Sequence, residues 1–67
     1  MDNRYEIRIP CALSATISAA FPELDAIRVS PTSTMLVGPV RDQAELHGLL
    51  ARLADLGIEI TEIRSQP

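Results

Sequence analysis

The chain has 67 residues, six basic against nine acidic, for a net charge of −3 with no run of either sign. That balance argues against a non-specific nucleic-acid binder and against an anionic membrane surface as partner, and no apolar run approaches the roughly 20 residues of a membrane span. A chain this short buries only about 60% of its unfolded surface, so one core leaves it marginal. With Cys11 as the single cysteine, an internal disulfide and a Cys-rich metal site are both excluded, which leaves association as the remaining source of stability.

The charged amino-terminal run MDNRYEIRIP goes straight into alternation and does not read as a signal peptide. Together with the unpaired cysteine it predicts a cytoplasmic chain. Residues 4–9 (RYEIRI) alternate, with Tyr5, Ile7 and Ile9 on one face and Arg4, Glu6 and Arg8 on the other, the period of a half-buried strand. Pro10 ends it. Ser14 is the expected N-cap of a short helix whose apolar stripe is Leu13, Ile17, Phe21 and Leu24. Pro22 should stop this helix near Phe21.

A second strand is predicted over 26–30 (AIRVS), with Ile27 and Val29 inward, followed by the turn residues SPTS. The third, 34–40 (TMLVGPV), is apolar on both faces, with Leu36 on one and Met35 and Val37 on the other, as expected of a central strand. A second helix follows. Asp42 and Glu45 have capping-box spacing, Leu46, Leu49, Leu50, Leu53 and Leu56 form its buried stripe, and Gly57 stands at the position that adopts positive φ. The segment 58–64 (IEITEIR) closes the chain as a fourth strand, Ile58 and Ile60 inward, Thr61 and Ile63 outward.

This order of strand, helix, strand, strand, helix, strand predicts a ferredoxin-like α+β domain over residues 1–67. Right-handed crossovers give a four-stranded antiparallel sheet, order 4-1-3-2, with both helices on one face. The expected core is Ile7, Ile9, Ile17, Phe21, Leu36, Leu46, Leu49, Leu50, Leu53, Ile58 and Ile60. The short termini and the lack of linkers or repeats predict a self-contained chain.

The segments YEIRI, AAFPEL and above all GPVRDQAELHGLLARLADLGIEI resemble a group of small, uncharacterised actinobacterial proteins. Their pattern is roughly G-P-V-x-D-Q-A-x-L-H-G-x-L-x-x-L-x-x-L-G, and the likeness covers most of the chain. It departs at SPTSTM, where such proteins often carry a glycine-containing turn. The resemblance implies a bacterial cytosolic protein of this fold and brings no established activity.

Fold does not choose function, so each use of this architecture is weighed by the residues it needs. Soft-metal transport requires paired thiolates after the first strand. Here Cys11 has Ser14 in the partner position, so neither a metal nor a cofactor is expected. RNA recognition requires aromatic rings on the open sheet face, which instead offers Arg4, Glu6, Arg8, Arg28, Met35 and Val37. Ligand sensing favours glycines in the loop after the first strand, and PCALS has none. A small-molecule sensor is retained as an alternative reading.

Catalysis would rest on His47, the only histidine and the only sensible general base. Gln43 and Ala51 lie one helical turn either way, and no serine or cysteine stands at helical spacing. At 100° per residue, Ala44, Gly48 and Ala51 fall on the side of the second helix away from the sheet. Gly48 there costs about 1 kcal/mol relative to alanine.

The expectation is an association module, a homo-oligomer or the accessory of a larger protein. Its predicted surface is the open sheet face with Met35, Val37, Thr61, Ile63, Arg4, Arg8 and Arg28. A second predicted surface is the Ala44, Gly48 and Ala51 stripe with His47 at its flank.

Overall fold

The computed structural model describes residues 3–66; Met1, Asp2 and Pro67, the outermost positions of the predicted domain, lie outside it. Its elements are β1 (Asn3–Ile9), α1 (Ala15–Ala20), β2 (Asp25–Ser30), β3 (Ser33–Val40), α2 (Gln43–Asp55) and β4 (Glu62–Gln66). The four strands form one antiparallel sheet in the order β2-β3-β1-β4, the predicted order read from the other edge.

Both helices start as their sequences dictate. The Ile17 N–H donates to Ser14 Oγ at 3.2 Å, satisfying one orphan donor of α1. Asp42 caps α2 by accepting from the Glu45 N–H at 2.8 Å. The reciprocal half of the capping box is displaced by one residue, since Glu45 Oε1 accepts from the N–H of Arg41 rather than of Asp42. Glu45 Oε2 also holds the Arg41 guanidinium at 3.0 Å.

The end of α2 explains where β4 begins. Gly57 has φ 72°, the Gly57 N–H donates to the Ala54 carbonyl at 3.0 Å, and the Ile58 N–H donates to the Leu53 carbonyl at 2.9 Å. This Schellman pairing consumes the backbone that the sequence pattern assigned to a strand. Ile58 packs against the core as the apolar residue closing that motif, while Ile60 is exposed and outside the core. Strand pairing starts only at Glu62. Thr61 donates both its N–H (2.9 Å) and its hydroxyl (3.0 Å) to the Arg8 carbonyl.

A one-residue offset in a strand moves every side chain to the other face. Ile63 is therefore in register with Ile7, on the side of the helices, and not on the open face. The same correction applies to β2. Ala26 pairs with Leu36 and Arg28 with Thr34, so these two look toward the helix side, while Ile27 pairs with Met35 on the open side. A bulge between Arg28 and Ser30 takes Val29 out of register, and Val29 is exposed.

The core lies between the sheet and the two helices and joins Ile7, Ile9, Leu36 and Val40 to Ile17, Phe21, Leu24, Leu46, Leu49 and Leu53. Leu13 and Leu56, expected in the helical stripes, are exposed: Leu13 precedes the Ser14 cap of α1 and Leu56 is the C-cap of α2. Leu50 is half-buried at the rim. Thr34 is fully buried and donates its hydroxyl to the Cys11 carbonyl at 2.7 Å, which pins the β1–α1 loop to β3. Arg52 closes the other end of the helix layer. It donates to the Ala20 carbonyl at 2.9 Å and to both Glu23 carboxylate oxygens, at 2.8 and 3.3 Å, over the Phe21 ring. That guanidinium holds the Glu23 carboxyl below its ordinary range.

Candidate functional site

The register fixes the composition of the uncovered sheet face. One row across the strands is Ile27, Met35, Arg8 and Glu62; the next is Asp25, Val37, Glu6 and Arg64; Pro39, Arg4 and Gln66 make a third. Pro39 lies beyond the last β2 partner, at Val37, so its missing N–H costs that ladder nothing. The β1 and β4 half is a lattice of opposite charges, with Arg8 facing Glu62 and Glu6 facing Arg64 across the ladder. Arg64 Nε also donates to Glu62 Oε1 at 2.7 Å, and Gln66 Nε2 to Glu6 Oε2 at 2.6 Å.

The β2 and β3 half carries the apolar side chains, beside Asp25. Ile27 is 45% exposed and Met35 is half-buried beside it, whereas Val37 is already 8% exposed between its ladder neighbours Asp25 and Glu6. Of the residues expected on this face, Met35, Val37, Arg4 and Arg8 lie on it. Arg28 and Ile63 lie on the opposite side. Thr61 precedes the strand and is tied to the Arg8 carbonyl.

Ile27 is the exposed apolar side chain of this face that alternation assigned to the covered side. In AIRVS the apolar parity is Ile27 and Val29, and only the small Ala26 hints at which side fits beneath a helix.

An open depression of about 110 Å³, lined by Glu6, Arg8, Met35, Glu62 and Arg64, lies on this face. Pockets that enclose a small organic ligand run to about 300–1,000 Å³, so this one admits a few waters or a side-chain tip. Among the described residues no three His, Cys, Asp or Glu side chains gather as a metal site. Cys11 is half-buried and packs against the core, and Ser14 is occupied as a cap. His47 is exposed on α2.

Ala44, Gly48 and Ala51 are exposed too, and a Cβ built on Gly48 has no described atom within 4 Å, the helix's own backbone aside. Nothing within the fold requires glycine there. Gly48→Ala should therefore raise the stability by up to about 1 kcal/mol, read as a higher denaturation midpoint. A fall would show that the position needs glycine's freedom after all. Gly48→Leu should leave the fold intact.

The molecule is thus a small α+β domain with one face of its sheet uncovered. A family model described as a domain of unknown function (DUF8691) matches residues 4–64, and the chain belongs to that family. No curated protein and no solved structure matches it.

Proposed function

We propose that this chain is a small protein-interaction or oligomerisation module of ferredoxin-like architecture, working in the cytoplasm of a bacterium. Its kin are the small actinobacterial proteins that share the DQAxLHG segment. The observation that carries the reading is the apolar pair Ile27 and Met35 on a sheet face without helices, bordered by Arg4, Glu6, Arg8, Glu62 and Arg64. An apolar centre with a charged rim is the ordinary anatomy of a protein interface. The apolar side chains supply affinity, while the alternating charges set register and keep the free face soluble. The partner is a second copy or a larger protein. The Ala44, Gly48 and Ala51 stripe, with His47 as a polar contact at its flank, is a second surface of the same kind. Gly48→Leu tests it by whether association survives.

Ile27→Glu is the decisive variant for the sheet face. Ile27 is already exposed, so the charge leaves the fold in place, whereas Val37→Glu would bury a carboxylate and report on folding instead. Light scattering on the purified chain, with affinity capture of any partner, reads the result. Ile27→Glu should lose the association that the wild-type chain shows. A wild-type chain that stays monomeric at high concentration and retains no partner would end this reading.

A further inference from the structure

The reading of the chain as an association module leaves the partner open, and the sheet edge supplies one. We propose that the chain forms a two-fold homodimer in which β4 pairs antiparallel with β4 of a second copy, joining two sheets into one of eight strands. The inference rests on the association reading but uses the edge of the sheet rather than its face.

β4 is an edge strand, hydrogen-bonded only to β1, and all five of its residues are exposed. Edges left open in this way are templates for pairing unless a bulge, a proline or an inward charge blocks them. The other edge is blocked: β2 is broken by its bulge between Arg28 and Ser30 and runs into Pro31. β4 has no bulge and no proline between Glu62 and Gln66, and its two charged side chains, Glu62 and Arg64, are opposite in sign.

Its backbone is also oriented for the purpose. The Arg8 carbonyl accepts from the Thr61 N–H, so Arg8 turns its polar groups toward β4. Residues of an antiparallel strand alternate in the side to which they direct both groups. Glu62, Arg64 and Gln66, the partners of Arg8, Glu6 and Arg4, therefore face β1. Ile63 and Ser65 present their N–H and C=O outward.

The side chains then select the register and the occupant. With the two-fold axis at Ile63, that residue faces Ile63 of the second copy and exchanges both backbone hydrogen bonds with it. Glu62 faces Arg64 of the second copy, and Arg64 faces its Glu62. A shift of the axis to Arg64 would set arginine against arginine. The strand is thus complementary to itself in charge in the register that also buries an isoleucine 42% exposed in the single chain. Leu56 and Ile60, also exposed, belong to the segment leading into this edge. A two-fold axis perpendicular to the sheet keeps both uncovered faces on one side, so the dimer doubles the apolar surface around Ile27. A contact of two strands falls below the roughly 1,200–2,000 Å² of a stable interface, and the dimer is accordingly concentration-dependent.

The test is sedimentation equilibrium of the purified chain from about 10 μM to about 1 mM, a span covering weak association constants. Wild type should pass from monomer to dimer across it. Glu62→Arg makes the edge wholly basic and Arg64→Glu makes it wholly acidic. Each should weaken self-association by about tenfold or more, since two attractive cross-strand pairs become repulsive. An equimolar mixture of the two should recover a dimer of about wild-type strength, which neither variant reaches alone and which damage to the fold could not produce. Ile63→Lys, an exposed position that disturbs no ion pair, should abolish the dimer with the circular dichroism of the fold unchanged.

The edge proposal falls if wild type stays monomeric throughout, if the charge variants associate as wild type does, or if the mixture recovers nothing. Should Ile27→Glu abolish a wild-type association that all the edge variants keep, the sheet-face reading stands and the edge alone is wrong. The face reading falls by itself if Ile27→Glu changes nothing and no partner is retained.

Discussion

Leu53→Ala should lower the unfolding free energy by about 2–5 kcal/mol, through lost transfer energy and the cavity left behind. Leu53 is fully buried, 0% exposed, and its carbonyl also closes the helix by accepting from the Ile58 N–H. A domain of this size carries on the order of 3–10 kcal/mol in all, so the loss is a large fraction of the total and should move the urea midpoint well down. Circular dichroism through a urea titration measures it. Leu50→Ala, the neighbour that helical periodicity ranks equally, sits at the rim and should cost less, about 1–2 kcal/mol. If the two variants lost stability equally, or Leu53→Ala stayed within about 1 kcal/mol of wild type, the placement of the core would be wrong.

The second large effect is Gly38→Ala, expected to destabilise by about 1–3 kcal/mol. Gly38 lies on the helix side of β3, where the connection from α1 to β2 crosses the sheet. A Cβ there would meet Leu24 Cδ2 at 2.7 Å, the Glu23 carbonyl oxygen at 3.2 Å and the Leu24 Cα at 3.3 Å. Leu24 is itself part of the core, so its methyl group has little room to retreat, and the other two contacts are backbone. The opposite sign expected for Gly48→Ala makes the pair a sharp test. Both substitutions add the same methyl group; only the surroundings differ. A stability for Gly38→Ala equal to or above wild type, in the same urea titration, would show that the α1–β2 connection does not press on the sheet.

Several features were legible in the chain itself because they rest on local chemistry. Ser14 and Asp42 cap helices because a short oxygen-bearing side chain can accept an N–H three residues on. Gly57 reverses the chain at positive φ because it lacks a Cβ. The leucine spacing named Leu46, Leu49 and Leu53 as the buried face of α2, and the order of periodic segments was enough for the strand order. Ile7 and Ile9 could be placed on the covered side by alternation alone, since β1 runs without interruption to its turn.

What failed to show in the sequence was parity. In the segment 58–64 both candidate faces carry an isoleucine, so alternation offers two answers, and in β2 alternation favours Ile27 and Val29 as the covered face over Ala26 and Arg28. The choice falls to residues far away. On β2 the small Ala26 packs against the core that contains Leu24, and the pairing of Ala26 with Leu36 leaves Ile27 on the open face. The Schellman closure of α2 and the two hydrogen bonds from Thr61 to the Arg8 carbonyl delay β4, and Ile63 stands on the helix side.

The proposed association surface inherits this division. Arg4, Arg8 and Met35 follow from the strands' own patterns, whereas Ile27 on the face and Ile63 on the edge were set by tertiary contacts. The reason is physical: a strand's side chains alternate with a period of two, so a one-residue offset decided elsewhere in the fold reverses the whole row. A helical stripe, by contrast, is set by the spacing of the helix's own leucines, so moving the end of the helix leaves the stripe where it was.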